Sequence, residues 1–357
     1  MIKVFIIAGT RPELIRLSLI ITKLDKLADV KLIFTNQNFD YNLSGKFFDE
    51  LKIREPDYTF NESSTSFGAF LSNALMEFEQ VLLKEKPDKI LILGDTNSGL
   101  LSILADRYKI PVYHCEAGNR CYDKRVPEET NRRIIDHLST YNLPYTENSK
   151  QNLINEGFDK NHVLKIGNPI YEVLTKHVGP IYHSAVLDTL SLDIRKYVLV
   201  TAHRAENVDN VESLTSIVNA LNVIAETTPV VFSIHPRTMV KLEYFKLKLN
   251  KDIVVHKPFG LFDFVKLEQL AAMVITDSGT VQEEACIFGV PAIVIRNSTE
   301  RQELIECGSS VLVGTDDKAI LDVYNIMSKR KIKWAVPADY MIENVSDIVI
   351  NILLGRD

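Results

Sequence analysis

Apolar runs of four to six residues alternate along this chain with amphipathic stretches of ten to twenty. The first half predicts strand 3–8, helix 11–28, strand 30–35, helix 67–84, strand 89–93, helix 97–109, strand 111–115 and helix 127–138. The pattern then restarts. It predicts strand 197–202, helix 209–227, strand 229–234, helix 237–249, strand 253–256, helix 261–270, strand 273–276, helix 279–288 and strand 291–295. Such alternation marks βαβ units, parallel sheet and right-handed crossovers. Residues 168–196 hold Pro169, Gly179 and Pro180 and no strong strand, so they read as the connection. Residues 54–66 are polar and read as a loop, a flap over a site. A last helix near 341–354, after Pro337, is expected to pack back on the first domain. The expectation is an α/β chain of two doubly wound domains facing a cleft, 1–170 and 171–340, with 341–357 returning.

Composition narrows the function classes. A chain of 357 residues is too long for one ordinary core and about right for two. The net charge of −6 gives no sign of a nucleic-acid or acidic-membrane surface. The four cysteines, Cys115, Cys121, Cys286 and Cys307, lack metal-like or redox-pair spacing and read as free thiols. The N-terminal apolar run is about five residues, too short for a signal peptide or a membrane span. A cytoplasmic protein with no membrane or nucleic-acid partner is expected.

Polar signatures follow several of the strands. In an open parallel sheet the carboxyl ends of the strands line the ligand crevice. Gly9-Thr10-Arg11-Pro12-Glu13 ends the first strand and opens a helix, where Arg11 and free N–H groups suit an anion. No G-x-G-x-x-G occurs, so the usual dinucleotide fingerprint is missing. Asp95 and Glu116 end two strands, and Glu128 and Glu129 open a helix after Pro127. Glu128 and Arg132 are four apart and share a helix face. Helix-dipole preference alone explains two acids in a first turn, but not Asp95 and Glu116 at strand ends. Carboxylates converging on one crevice raise one another's pKa, which suits acid and base roles. His203-Arg204 and His235 end strands of the second half. Asp277-Ser278-Gly279-Thr280 opens a helix with the look of a diphosphate seat, and Glu284 lies further along it, placed to accept ribose hydroxyls. A plain Asp or Ser N-cap explains that stretch equally well if taken alone. Arg296 and Arg301 add positive charge near the next strand's end.

Together these stretches resemble the non-hydrolysing UDP-N-acetylglucosamine 2-epimerase family. The matching segments are GTRPE at 9–13, GDTNS at 94–98, EAGNR at 116–120, PEETNR at 127–132, HRAEN at 203–207, DSGTVQEE at 277–284 and TER at 299–301. The resemblance implies two Rossmann-like domains in the GT-B arrangement, a UDP-sugar in the cleft, no NAD and no essential metal. It implies inversion at C2 of the sugar, with UDP eliminated to a glycal and added back. Carried over, Asp95, Glu116 and Glu128 are the acid/base candidates and His203 an essential histidine. Arg11, Ser278 and Glu284 are the UDP candidates, with Gly279, Thr280, His235 and Arg301 nearby. Arg132 and Arg204 orient carboxylates or phosphate. A homodimer is the expected assembly.

Asn119-Arg120-Cys121 and the surrounding motifs look most like the branch that converts UDP-2-acetamido-2,6-dideoxy-L-talose to UDP-N-acetyl-L-fucosamine for capsule or O-antigen. The alternative substrate pair is UDP-GlcNAc and UDP-ManNAc. A GT-B glycosyltransferase is the rival class, though it needs no carboxylate trio. An idle sugar-nucleotide sensor is disfavoured by the intact acid/base set. Many bacterial members carry Gln-His-Arg-Glu-Met where an activating UDP-GlcNAc binds; this chain has Asn36 to Tyr41 there. The expected outcome is hyperbolic kinetics in UDP-GlcNAc with no stimulation on adding it. A sigmoidal rate curve contradicts that expectation.

Overall fold

The computed structural model describes residues 1–36, 48–60 and 66–355. The loop 37–41 and residues 61–65 of the expected flap lie outside the described residues. The chain divides into two compact units, Met1–Thr175 with Ala338–Asp357, and Lys176–Pro337.

The first unit carries one parallel sheet: β1 Lys3–Ala8, β2 Asp29–Phe34, β3 Tyr58–Thr59, β4 Lys89–Leu93, β5 Val112–Cys115 and β6 Tyr141–Leu143. Its order is β3-β2-β1-β4-β5-β6. The second unit repeats the plan with β7 Val198–Thr201, β8 Val230–Ser233, β9 Ile253–His256, β10 Met273–Thr276, β11 Ala292–Val294 and β12 Ser310–Leu312. Its order is β12-β11-β10-β7-β8-β9, again parallel throughout. Both sheets are doubly wound, as the alternating pattern predicts. In each, the opening strand lies centrally and the winding reverses beside it, between β1 and β4 and between β7 and β10. Loops diverge at such a switch point and leave a crevice at the carboxyl ends.

The strands are near-continuous apolar runs because helices cover both faces. Phe5 and Ile7 of β1 pack with Phe78 of helix Phe67–Glu85, the Phe5 and Phe78 ring centroids 6.4 Å apart. In β7, Val198 and Val200 enter one core and Leu199 the other, the two-residue period of a strand. Burying each such side chain contributes about 2 kcal/mol.

Some elements differ from expectation. The helix predicted over 209–227 spans Val211–Ile224, a separate short helix Ala205–Val208 precedes it, and the last helix begins at Val345. Residues 168–196, expected as an irregular connection, contain helices Ile170–Lys176, Val178–His183 and Val186–Thr189. Pieces of four to seven residues show too little periodicity to be read. Strand β6 was not expected because its centre is Asn142, which is buried and donates to the Asp136 carbonyl at 3.1 Å. Strand β3 lies inside the expected flap, pairing Tyr58 and Thr59 with Ile33 and Phe34.

The chain leaves the first unit after Thr175 and returns at Ala338, against expected boundaries after 170 and 340. Glu172 explains why helix Ile170–Lys176 stays with the first unit. Its carboxylate accepts from the Ser346 amide at 2.8 Å and the Ser346 hydroxyl at 2.5 Å. Lys23, in the last turn of helix Arg11–Leu24, reaches Glu172 at 3.3 Å, Ser346 at 2.7 Å and Asp347 at 2.8 Å. These contacts tie the C-terminal helix Val345–Leu354 to the first unit. Glu172→Ala leaves the buried Ser346 amide without its acceptor, which costs about 1–3 kcal/mol. Hydrogen exchange should then accelerate over 345–354; unchanged protection there contradicts this account of the helix's attachment.

Candidate active site

In the first unit, the chemistry collects at the ends of β1, β4 and β5. The turn after β1 is close to the loop after β4: a side chain added at Gly9 would meet Ser98 Oγ at 1.9 Å. The Thr35 and Ser98 hydroxyls are 2.6 Å apart. Asp95 follows β4 and is met by Arg132, whose Nη2 and Nε donate to Oδ2 at 2.6 and 3.0 Å. Arg132 is buried in helix Pro127–Leu138, and its Nη1 also donates to Glu129 at 2.9 Å. The same arginine therefore ties Asp95 to the helix whose first turn carries Glu128. Asn131 adds a bond to the Asp95 carbonyl at 3.1 Å.

Glu116 ends β5. It is buried, and its Oε2 accepts from Arg16 Nη1 at 3.0 Å while Oε1 faces Asn119 Nδ2 at 3.3 Å. Its backbone is left-handed, φ 68°. That costs a non-glycine residue about 1–3 kcal/mol and is characteristic of functional sites. A side chain added at Gly94 would come within 3.8 Å of Glu116 Oε2, which places this carboxylate beside the turn carrying Asp95. Gly118, φ 79°, could not be another residue, because a Cβ there would meet the Ser149 carbonyl at 2.2 Å.

A buried polar layer supports these loops. His114 Nε2 donates to the Gly94 carbonyl at 2.8 Å, and Nδ1 faces Asp136 at 2.8 Å. Arg120 meets Asp136 at 2.8 Å and grips Glu156 with two bonds, at 2.9 and 2.6 Å. Burial pushes the Asp136 carboxyl up, but His114 and Arg120 more than reverse that, and it lies below the ordinary carboxylate value. Arg11, one residue into helix Arg11–Leu24, is pushed down to about 10 by burial, with Glu50 opposing, and stays charged at neutral pH.

In the second unit, Asp277 organises the ends of β7 and β10. Fully buried, its Oδ2 accepts from the His203 and Arg204 amides, each at 2.9 Å, and from Asn207 Nδ2 at 3.1 Å. His203 Nδ1 lies 3.3 Å from Asp277 Oδ1. A carboxylate on that side favours Nδ1–H and leaves Nε2 for other work. The His235 ring centroid is 5.9 Å from that of His203, and His235 Nδ1 accepts from the Arg237 amide at 3.2 Å as the cap of the next helix. Ser278 caps helix Gly279–Phe288 without spending its hydroxyl on a capping bond. Gly279 is a close approach: a Cβ would lie 3.1 Å from Glu300 and 3.4 Å from Arg301. Arg301 is buried against Glu283 at 2.5 Å and Glu300 at 3.3 Å. Thr280 is half-buried in the helix's first turn and Glu284 buried further along. Among the described residues no group of three or more His, Cys, Asp or Glu is arranged to hold a metal ion, and no helix is long and apolar enough to cross a membrane.

Against this geometry, comparison with known proteins is decisive. The family model for UDP-N-acetylglucosamine 2-epimerase matches residues 22–354. The chain belongs to this family. It is an isomerase of the epimerase class. The UDP-N-acetylglucosamine 2-epimerase of Methanocaldococcus jannaschii is 42% identical over 352 residues, 94% of each chain. The UDP-2,3-diacetamido-2,3-dideoxy-D-glucuronate 2-epimerase of Pseudomonas aeruginosa is 37% identical, with 90% of each covered. A crystal structure of the M. jannaschii enzyme in complex with UDP-GlcNAc and UDP matches with TM-score 0.93 at 40% identity over 99% of both chains. The Neisseria meningitidis enzyme bound to UDP-GlcNAc matches at 0.90 and 28%, over 99% of this chain and 100% of that one.

Glu13, Asn207 and Glu300 lie in the matching segments without a role assigned there, and Arg16, His114 and Asp136 lie outside them, although all help hold the site loops. For Glu13 the signal in the sequence is its position three residues after Thr10, the spacing of a capping box. Its carboxylate accepts from the Gly9 and Thr10 amides at 2.5 and 3.0 Å. Burial raises its pKa from 4.5 to about 7, with Asp95 adding to the rise and Thr96 and the two amides opposing it. An acid that binds its proton more tightly folded than unfolded contributes stability below about pH 4.5 that is lost as pH rises through about 7. The stability of wild type should therefore fall relative to Glu13→Gln by about 3 kcal/mol between pH 4.5 and 8. Parallel pH profiles in urea titrations contradict the assignment.

Proposed function

We propose that the chain inverts C2 of a UDP-N-acetylhexosamine. The observation that carries this reading is Asp95 fixed by Arg132 to the helix of Glu128, with Glu116 held beside it, in a member of an epimerase family. C2–H is a weak acid, so its removal requires a positioned base and a stabilised leaving group. One carboxylate of the set takes the C2 proton as the C1–O bond breaks and UDP leaves, giving a 2-acetamidoglycal. A proton is delivered to the other face of C2, and UDP re-forms the bond at C1. Both C–H and C–O bonds are broken and remade, so the sequence is redox-neutral overall. His203, its Nδ1–H oriented by Asp277, donates from Nε2 to the departing diphosphate when the ring is doubly protonated, and takes that proton back as UDP re-forms the bond at C1.

For the nucleotide, the reading assigns Arg11, Arg204, His235, Arg301 and the helix start at Ser278, Gly279 and Thr280 to the diphosphate, and Glu284 to the ribose. Helix N–H groups and cations suit that charge. The substrate pair favoured by the 42% and 39% identical relatives is UDP-GlcNAc and UDP-ManNAc. The 6-deoxy-L-talose reading rests on Asn119-Arg120-Cys121. These side chains are engaged by Glu116, Ser149, Asp136, Glu156 and Glu129, which weakens them as a signature of the sugar.

Product formed in D2O should carry deuterium at C2. Asp95→Asn and Glu128→Gln should each lower kcat by ~10²-fold or more with UDP affinity nearly unchanged. Product that keeps the original C2 hydrogen, or near-normal turnover of both variants, contradicts the mechanism.

A further inference from the structure

Two of the four cysteines, 21 positions apart in the sequence, meet in the second unit. The Cys286 and Cys307 Sγ atoms lie 4.0 Å apart. Cys286 sits near the end of helix Gly279–Phe288 and is fully buried. Cys307 directly follows helix Gln302–Glu306 and is half-buried. Both are free thiols. The two elements are already joined elsewhere, where Arg301 Nε donates to Glu283 at 2.5 Å. Trp334 Nε1 donates to the Cys286 carbonyl at 3.1 Å and holds that side of the pair. The other side has room. Gly308 follows Cys307 with φ 81°, and a Cβ there would meet no atom within 4 Å. Bonded sulfurs are about 2 Å apart, so Cys307 has to approach by a similar amount to close the bond.

We propose that Cys286 and Cys307 form a redox modification site, which closes to an intramolecular disulfide and staples helix Gly279–Phe288 to the turn after helix Gln302–Glu306. The oxidant it takes is a small-molecule disulfide. A thiolate is the attacking species, so the thiol that solvent reaches reacts first. That thiol is Cys307, since burial pushes the Cys286 thiol up to about 12. The Cys307 thiolate attacks one sulfur of the oxidant, whose S–S bond breaks and whose other half leaves as a thiolate. Cys286 then loses its proton and attacks Cys307 Sγ, expelling the second thiolate. Two protein S–H bonds become one S–S bond, one small disulfide is reduced to two thiols, and the two protons end on those thiols. Neither remaining cysteine competes. Cys115 is buried, and Cys121 faces the Glu129 carboxylate at 3.3 Å, with burial raising its pKa.

The test exposes the reduced full-length chain to oxidised glutathione at pH 8, with wild type, Cys286→Ser and Cys307→Ser followed by intact mass and peptide mapping. Wild type should pass through one glutathione adduct on Cys307 and end with a peptide pair joined through Cys286 and Cys307. Cys286→Ser should stop at the adduct. Cys307→Ser should carry neither an adduct nor a bond at Cys286. Cross-linking positions 286 and 307 restricts the unfolded chain, so oxidised wild type should melt about 5 °C above its reduced form. Dithiothreitol should reverse that rise, and neither variant should show it. An adduct that persists on Cys307 in wild type, a bond to Cys115 or Cys121 instead, or no reaction at Cys307 overturns the proposal. So does an oxidised form that melts at or below the reduced one.

Discussion

Taking a carboxylate out of water costs several kcal/mol unless donors or cations meet it. This chain carries carboxylates to the ends of its strands and buries most of them. Each is therefore met by named partners, and those partners determine the shape of the site loops. Asp277 gathers two backbone amides and Asn207, and so folds the turn after β7 around itself. Glu116 is met by Arg16, a residue 100 positions earlier, and Asp95 by Arg132.

The same constraint joins fold to chemistry. A doubly wound sheet leaves its crevice where the winding reverses. In the first unit that point is flanked by Gly9-Thr10-Arg11 and Gly94-Asp95-Thr96, and in the second by His203-Arg204 and Asp277-Ser278. Short side chains and glycines there bring loops together: Gly9 fits against Ser98, and Gly279 against Glu300 and Arg301. Partners then arrive from the next helices, Arg16 from one side and Arg132 from the other. The outcome is a set of acids whose positions are held by the fold rather than by ligand. Such preorganisation is what proton transfer at carbon needs.

The central strands were legible because parallel strands covered on both faces are apolar runs, and KILIL or YVLV can hardly be read otherwise. The acids at their ends were legible because polar residues directly after such runs have few structural reasons to be there. Strand β6 was not, since Asn142 interrupts its pattern and is satisfied only by the folded chain. Strand β12 and helix Asp317–Met327 are likewise beyond the predicted elements, the strand being only three residues long. The supporting layer was hidden for a different reason. His114 and Asp136 sit 22 positions apart, and Arg120 and Glu156 36 apart, so only the fold pairs them.

The most direct measurement is NMR of the purified chain incubated with a panel of UDP-N-acetylhexosamines and no acceptor. The account predicts that UDP-GlcNAc becomes a mixture with its C2 epimer, UDP-ManNAc. Recovery of every UDP-sugar unchanged, or consumption only when a sugar acceptor is added, would contradict it.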